Sequence, residues 1–204
     1  MEKDITIEYS KKVAELYTTK RLNAGCGRDI REGWINLDSA RLPGVDVVHD
    51  IEKLPLPFGN GEFDEILCND VLEHVEYIPV LKDLHRILNI GGKLTVRVPH
   101  FTSRNNYIDP THKKQFSINT FDFFAKNTLT QNSHLEKERL YYFDFAFDRV
   151  AIRRITFEKS SRIFFYNKLV EPIINSFPKI QEFYESSFLC WDFPAMNIEI
   201  ELIK

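Results

Sequence analysis

The chain has 204 residues, 43% of them hydrophobic and 28% charged, which suits one domain with a sizeable core. Its formal net charge of −3 argues against a surface that is basic all over, as a general nucleic-acid binder needs, but leaves room for a local basic patch. Cys26, Cys68 and Cys190 lie far apart with no Cys-x-x-Cys pair, so neither a zinc knuckle nor a disulfide framework is suggested. Reduced thiols in the cytoplasm are the simplest expectation. The charged N-terminal residues lack the apolar centre of a signal peptide, and no stretch is long and apolar enough to span a membrane.

Residues 5–18 read as an amphipathic helix, with Ile7, Val13, Ala14 and Leu16 on its buried side and Lys11, Lys12 and Glu15 outside. Short apolar runs punctuated by Gly, Asn and Asp come next: 21–25, 34–38, 45–50, 63–69 and 93–99. In the last of these, Leu94, Val96 and Val98 point one way, Thr95 and Arg97 the other. Between the last two runs Ile78, Leu81, Leu84 and Leu88 recur at helical spacing, and Gly91-Gly92 supplies a stop. Strands separated by connectors, with one clear helix, predict an α/β fold with a parallel sheet.

From residue 101 the pattern weakens. Segment 101–125 is polar and then aromatic (Phe116, Phe121, Phe123, Phe124), and 139–190 is rich in aromatics. The tail alternates Ile198, Ile200 and Leu202 against Glu199 and Glu201, a final strand paired antiparallel at or near the sheet edge.

Residues 22–27, LNAGCG, carry a buried strand into a Gly-x-Gly turn, where missing side chains at Gly25 and Gly27 let the backbone approach a ligand. Asp38 ends the next run, where a carboxylate can accept from both hydroxyls of a ribose. Asp50 and Ile51 end the third run and suit an adenine, the carboxylate on the exocyclic amine and the aliphatic chain on the ring face. Asn69 ends the fourth. Each alone reads equally well as a turn former or helix cap. Together they stand at the carboxyl ends of consecutive strands, where open α/β sheets bind ligands.

LNAGCG, then WINLD, then HDIEKLPLPFGNGEFDEILCNDVLEHV, then LHRILNIGGKLTVRVPH resembles the core of class I S-adenosylmethionine-dependent methyltransferases. The nearest likeness is to the small type-11-like branch that reads LN-x-G-C-G and then GW-x-N-x-D. It implies a Rossmann-like sheet, mostly parallel with an antiparallel last strand, and an aromatic-rich C-terminal insertion. It implies one methyltransferase domain over 1–204: a cofactor core at about 20–100, an acceptor loop and insertion at about 101–190, and a final strand at about 196–203. It implies S-adenosylmethionine as cofactor. Asn23, Ala24, Gly25, Cys26 and Gly27 would line its methionine and ribose, Asp38 would hold the ribose, Asp50 and Ile51 the adenine, and Asn69 would contribute backbone. The stretch from Gly25 to Asp38 is too short for a full helix, so the first helix of that fold must be a stub or turn here. That also argues against a dinucleotide dehydrogenase, whose pyrophosphate needs a real helix N-terminus.

Methyl transfer from a sulfonium is an in-line displacement, so the protein mainly positions two reactants and excludes water. A base is needed only where the acceptor loses a proton, as a hydroxyl does. Segment 98–117 comes directly after the fifth run and holds His100, Arg104, Asp109 and His112 without helical or strand period. By resemblance to branch members with a DPTH-like stretch, His112 is the candidate base or acceptor ligand, Asp109 its orienting group and His100 a second candidate. The local alternative is a turn capped by Asp109, with Ser117 as the N-cap of the helix after it. Asp70-x-x-Glu73-His74 has ligand-type spacing, and some methyltransferases with a Glu-x-x-Glu-His pattern there bind a divalent metal; Asp70 shortens the reach, in metal-free relatives Glu and His here face solvent or pack locally, and no metal is expected. His49, His85 and His134 read as structural or surface histidines.

Residues 149–168 carry six Lys or Arg and one acid, interleaved with Phe157, Phe164, Phe165 and Tyr166. They fit an acceptor lid, a contact with an anionic or lipid-linked substrate, a nucleic-acid surface, or an amphipathic insertion that packs its aromatics on the sheet and solvates its cations; the last is favoured. The helix after it (Leu169, Val170, Ile173, Ile174) would cover the acceptor site or form a homodimer face. The leading expectation is a methyltransferase for a small-molecule acceptor, with O-methylation of a sugar or surface-polysaccharide precursor as its sharper form. RNA or protein methylation, and cofactor binding without catalysis, are the alternatives.

Overall fold

The computed structural model describes residues 19–130, 140–159 and 166–204. The helix expected over 5–18 lies outside them, as do residues 160–165 of the basic aromatic segment.

The apolar runs of the first half become strands β1 (Arg21–Ala24), β2 (Ile35–Asp38), β3 (Val47–Val48), β4 (Phe63–Asn69) and β5 (Leu88–Pro99), all parallel. With β6 (Ala125–Asn127), β7 (Phe147–Thr156) and β8 (Asn197–Ile203) they form a single sheet in the order β3-β2-β1-β4-β5-β8-β7-β6. The order reverses between β1 and β4, and the crevice beside their carboxyl ends is where such sheets hold ligands.

β8 is antiparallel, as expected, but it lies inside the sheet between β5 and β7 rather than at the edge. Its alternation survives there because one face is fully packed, with Ile198, Ile200 and Leu202 at most 1% exposed, while Glu199 and Glu201 stay half-buried opposite Arg97 and Thr95. The edge falls to β6, which pairs parallel with β7.

Helix α1 (Tyr77–Ile87) buries Val80, Leu81, Leu84 and Ile87 against the core, the face that the 3.6-residue spacing predicts. It stops earlier than the glycine pair suggested. Leu88 is extended and pairs with Phe63, and Gly91 N–H donates to the Lys204 carbonyl at 2.7 Å. Sheet partners take the backbone groups that another helical turn would have needed.

Residues 25–34 form turns, the stub anticipated from the short spacing. Two buried asparagines replace the missing helix. Asn23 Nδ2 donates to the Asp29 carbonyl at 2.7 Å and to Asn36 Oδ1 at 3.2 Å. Asn36 accepts from Arg31 N–H at 3.0 Å and donates to the carbonyls of Arg31 and Trp34 and to Asp46. The loop's polar groups are thereby satisfied without helical hydrogen bonds.

The second half adds α2 (Asn105–Ile108), α3 (Asn167–Ile174), α4 (Pro178–Ser186) and α5 (Leu189–Asp192). Some of its aromatics are core, with Phe116, Phe121, Phe124, Phe147 and Tyr184 at most 1% exposed, whereas Tyr107, Tyr141, Tyr142, Phe177, Phe183, Phe188 and Trp191 are exposed. The cations of the basic segment are not all solvated. The Arg153 side chain is fully buried, with Nε donating to Gln181 at 3.0 Å and Nη1 to Asn119 at 2.5 Å, and Asp122 3.8 Å away. Arg154 is exposed. No helix among the described residues is long and apolar enough to cross a membrane.

Candidate active site

The Gly-x-Gly turn leaves β1 with Gly25 at φ +71° and Gly27 at φ +50°, torsions that favour glycine. The amides of Gly25 and Cys26 both donate to the Leu37 carbonyl, at 2.8 and 2.9 Å, which fastens the turn to β2. A Cβ on Gly25 would sit 2.3 Å from Val71 Cγ2, whereas one on Gly27 would meet nothing within 4 Å. One glycine therefore permits close packing inside the protein, and the other faces open space that a ligand can enter. Cys26 is buried, and burial followed by the charge of Asp38 raises its pKa, so it lines the turn as a neutral thiol.

Asp38 Oδ2 accepts from Gly27 N–H at 2.7 Å, and its Oδ1 from Ala40 N–H at 2.8 Å. Each oxygen keeps a lone pair. β2 and β3 pair with Asp38 opposite Val48, and His49 N–H donates to the Asp38 carbonyl at 2.9 Å, so Asp50 stands two residues beyond the β3 partner of Asp38. Asp50 also caps the next turn through Glu52 N–H at 3.1 Å. Ile51 is buried in the core. Ala24 is fully buried, and Asn69 ends β4 half-buried opposite Arg97. The glycine turn, Asp38, Asp50 and Asn69 thus gather at one rim of the sheet. The Asn23 side chain is the exception. It is turned into the loop and its amide is spent on Asp29 and Asn36, so it shapes the rim without facing it.

After β4 the chain turns at Asp70, which has φ +55° and forms an ion pair with Arg97 of β5, with Arg97 Nε 3.0 Å from Asp70 Oδ1. Beyond it lies a cleft of about 520 Å³ whose lining includes Asp70, Glu73, His74, Arg97, Asp109 and His112. The loop over residues 98–117 is pinned over it by backbone: the amides of Lys113 and Lys114 donate to the Glu73 carbonyl at 2.7 and 3.2 Å. His112 is thereby brought beside His74, ring centroids 4.6 Å apart and edge to face.

Asp109 acts as the expected turn cap, its Oδ1 accepting from Thr111 N–H at 2.9 Å and from the Thr111 hydroxyl at 2.6 Å. Its Oδ2 stands 3.8 Å from His112 Nε2, within ion-pair reach but beyond a hydrogen bond. Burial, then the neighbouring His74, lowers the pKa of His112, which favours the neutral imidazole. Burial pushes the Glu73 carboxyl up to about 7. Asp70 faces Arg97, so the trio that converges is Glu73, His74 and His112 rather than the sequence-local Asp70, Glu73 and His74.

His100 is fully buried and has no open side. Its Nδ1 accepts from Thr102 N–H at 3.1 Å, and its Nε2 lies 3.0 Å from Glu185 Oε1 on α4. Glu185 also accepts from the Ser117 hydroxyl at 2.6 Å and Ile118 N–H at 2.9 Å. Burial raises its pKa, but the bonds from His100, Ser117 and Ile118 outweigh that and hold it below the ordinary value. His100 therefore ties β5 to α4 and the start of the aromatic layer. Glu185 and Asn36 escaped the sequence reading because each acts through partners remote in the chain.

Residues 10–96 match the family described as "Methyltransferase domain". An uncharacterized protein of Methanocaldococcus jannaschii is 35% identical over 85 residues, a match that covers 37% of this chain and 38% of that relative's length. Among solved structures, a SAM-dependent methyltransferase from Archaeoglobus fulgidus superposes with a TM-score of 0.53 at 18% identity, covering 100% of this chain and 95% of that one. The YcgJ protein from Bacillus subtilis does so with a TM-score of 0.52 at 14% identity, covering 98% of each chain. These two likenesses speak for the fold. The family match spans the glycine turn and the strand-end carboxylates, and the fold is shared with the Archaeoglobus fulgidus SAM-dependent methyltransferase.

Proposed function

We propose that the chain methylates a hydroxyl of a small, polar, sugar-like acceptor, with S-adenosylmethionine as donor. The observation that carries this reading is that one short loop serves both sides. Val71 packs on Gly25 of the cofactor turn, while Glu73 and His74 of the same loop line the cleft. A ligand on the glycine turn and a ligand in the cleft would then be neighbours, which is what an in-line transfer needs.

In this reading the backbone of Ala24, Gly25, Cys26 and Gly27 receives the methionine and ribose portions, and the free lone pairs of Asp38 accept from the ribose hydroxyls. Asp50 and Ile51 meet the adenine, and Asn69 offers backbone at the mouth of the sheet. When bound, the sulfonium supplies an electrophilic methyl group. His112, neutral and with Asp109 beside its Nε2, takes the acceptor's proton on its free nitrogen. His100, with both nitrogens engaged, keeps the acceptor loop in place. The cleft's carboxylates, imidazoles and Arg97 supply donors and acceptors for a molecule rich in hydroxyls.

The test is release of S-adenosylhomocysteine by the purified chain over a panel of sugars, nucleotide sugars, RNA and protein acceptors. Turnover on a hydroxylated small molecule, reduced about 100-fold or more in His112→Ala with cofactor affinity kept, is expected. Turnover on RNA or protein alone would overturn the acceptor class. Cofactor binding without turnover on any class would leave a binding protein instead.

A further inference from the structure

Glu73, His74 and His112 each bring one ligand-type atom within 4.8 Å of the others. We infer that these three side chains form a binding site for one divalent transition ion such as Zn²⁺ or Mn²⁺, open towards the cleft.

Two of the three present atoms that the protein leaves unserved. Glu73 is 1% exposed, and its Oε2 is buried without a hydrogen-bond partner. The His112 side chain is 9% exposed, and its Nδ1 is buried and equally unpartnered. Orphaned buried polar atoms are uncommon in folded proteins, and two of them on side chains brought this close together call for a shared partner. A cation satisfies a carboxylate oxygen and an imidazole lone pair together.

The hydrogen bonds around the site orient the third donor. The Thr111 hydroxyl spends its single hydrogen on Asp109 Oδ1 at 2.6 Å, so at 2.8 Å it accepts from His74 Nδ1–H. That fixes the His74 lone pair on Nε2. The other oxygen of the same Asp109 carboxylate faces His112 Nε2, the nitrogen away from the orphaned Nδ1. Thr111, held by Asp109, thus orients the His74 imidazole from outside the site, as outer partners do for metal-ligating histidines, and the same carboxylate stands within ion-pair reach of His112.

Two imidazole nitrogens and one carboxylate oxygen suit borderline first-row ions better than Mg²⁺ or Ca²⁺, which prefer oxygen. Three protein ligands leave further positions free, as in catalytic rather than structural sites. With metal–ligand bonds of about 2.1 Å, tetrahedral donors lie roughly 3.4 Å apart, so side chains whose donors lie within 4.8 Å need to close by up to about 1.4 Å. The backbone bonds from Lys113 and Lys114 to Glu73 already hold the two segments together for that step. An ion here would meet hydroxyls of a molecule in the cleft. That consequence rests on the function proposed above, while the ion site itself does not.

The test uses the full chain stripped with chelator and titrated calorimetrically with Zn²⁺, Mn²⁺ and Mg²⁺, with Co²⁺ absorption to read the donor set. One ion per chain is expected, with Mg²⁺ at least 100-fold weaker than Zn²⁺. His74→Ala and His112→Ala should each weaken Zn²⁺ at least 100-fold and change the Co²⁺ spectrum. Asp109→Asn, which touches no ion, should weaken it about tenfold or more. S-adenosylmethionine affinity should be unchanged in all three, which separates loss of the ion from loss of the fold. Should a variant fail to fold, His112→Asn, which keeps a side chain in the same space, replaces it. Stoichiometry well below one, or equal Zn²⁺ affinity in the wild type and His74→Ala, overturns the site. A chain that binds Zn²⁺ but ignores S-adenosylmethionine would overturn the proposed function and leave the ion site standing.

Discussion

The carboxylate of Asp38 holds the amide of Gly27 at 2.7 Å, so the end of β2 and the turn after β1 form one rigid piece. A hydrogen bond to a charged group of this kind contributes about 1.5–3 kcal/mol. Here it sets the open side of Gly27 next to the free lone pairs of the same carboxylate.

Gly25 is constrained twice, by its torsion and by Val71. Gly25→Ala should destabilise the protein by about 2–4 kcal/mol, from the left-handed conformation and the overpacked contact together. Adding Val71→Ala should recover the packing share and leave the torsional share. Urea unfolding of the two variants checks this; full recovery in the double variant would mean that the torsion costs nothing.

Asn36 replaces a helix with side-chain hydrogen bonds. Asn36→Ala strips partners from the Arg31 amide and the Trp34 carbonyl, and should cost about 2–3 kcal/mol. Because the same loop carries Gly27, cofactor affinity should fall as well, although Asn36 faces no ligand. Denaturation and calorimetry on one preparation read both effects. A stability loss with unchanged affinity would show that the turn keeps its shape without the loop.

His85 gives a pH signature. Burial, followed by the charge of Lys204, holds its pKa down to about 4, against an ordinary 6.5. Between these values the unfolded chain binds a proton that the folded chain does not. Its contribution is therefore complete above pH 6.5, declines as the pH falls towards 4, and is flat below. Glu73, raised to about 7, contributes the opposite slope over an overlapping range. The His85 effect is accordingly read as the difference between wild type and His85→Gln in urea midpoints at pH 7, 5.5 and 4.5. The two curves should diverge at low pH, with the wild type losing more; parallel curves would contradict the shift.

His100→Gln separates structure from chemistry. With both ring nitrogens engaged by Thr102 and Glu185, the variant should lower the melting temperature while kcat stays within about tenfold of wild type when assayed well below it. A fall in kcat beyond 100-fold with an unchanged melting temperature would return His100 to the chemistry.

The features legible in the sequence obey local rules. The strand-to-glycine turn, the acidic strand ends, the short first connection and the amphipathic face of α1 each depend on neighbours within a few residues. The rest depended on distant partners. Leu88 fits the helical stripe, yet its pairing with Phe63 draws it into β5. The tail reads as a strand at or near the sheet edge, and its pairing with β7 on the side away from β5 makes it internal. Arg153 looks like one solvated cation in a basic run, but Gln181 and Asn119, both remote in sequence, bury it. Glu73 and His112 lie far apart in the chain, and the backbone bonds of Lys113 and Lys114 that join them leave no trace in composition or periodicity.

The central claim is that the rim formed by residues 24–27, Asp38 and Asp50 is built for S-adenosylmethionine. Calorimetric titration of the purified chain and of Asp38→Ala with that compound tests it most directly. One molecule should bind per wild-type chain, at least about tenfold more tightly than to the variant, as expected for loss of a charged hydrogen-bond acceptor. No binding by the wild type, or equal affinity for both proteins, would contradict it.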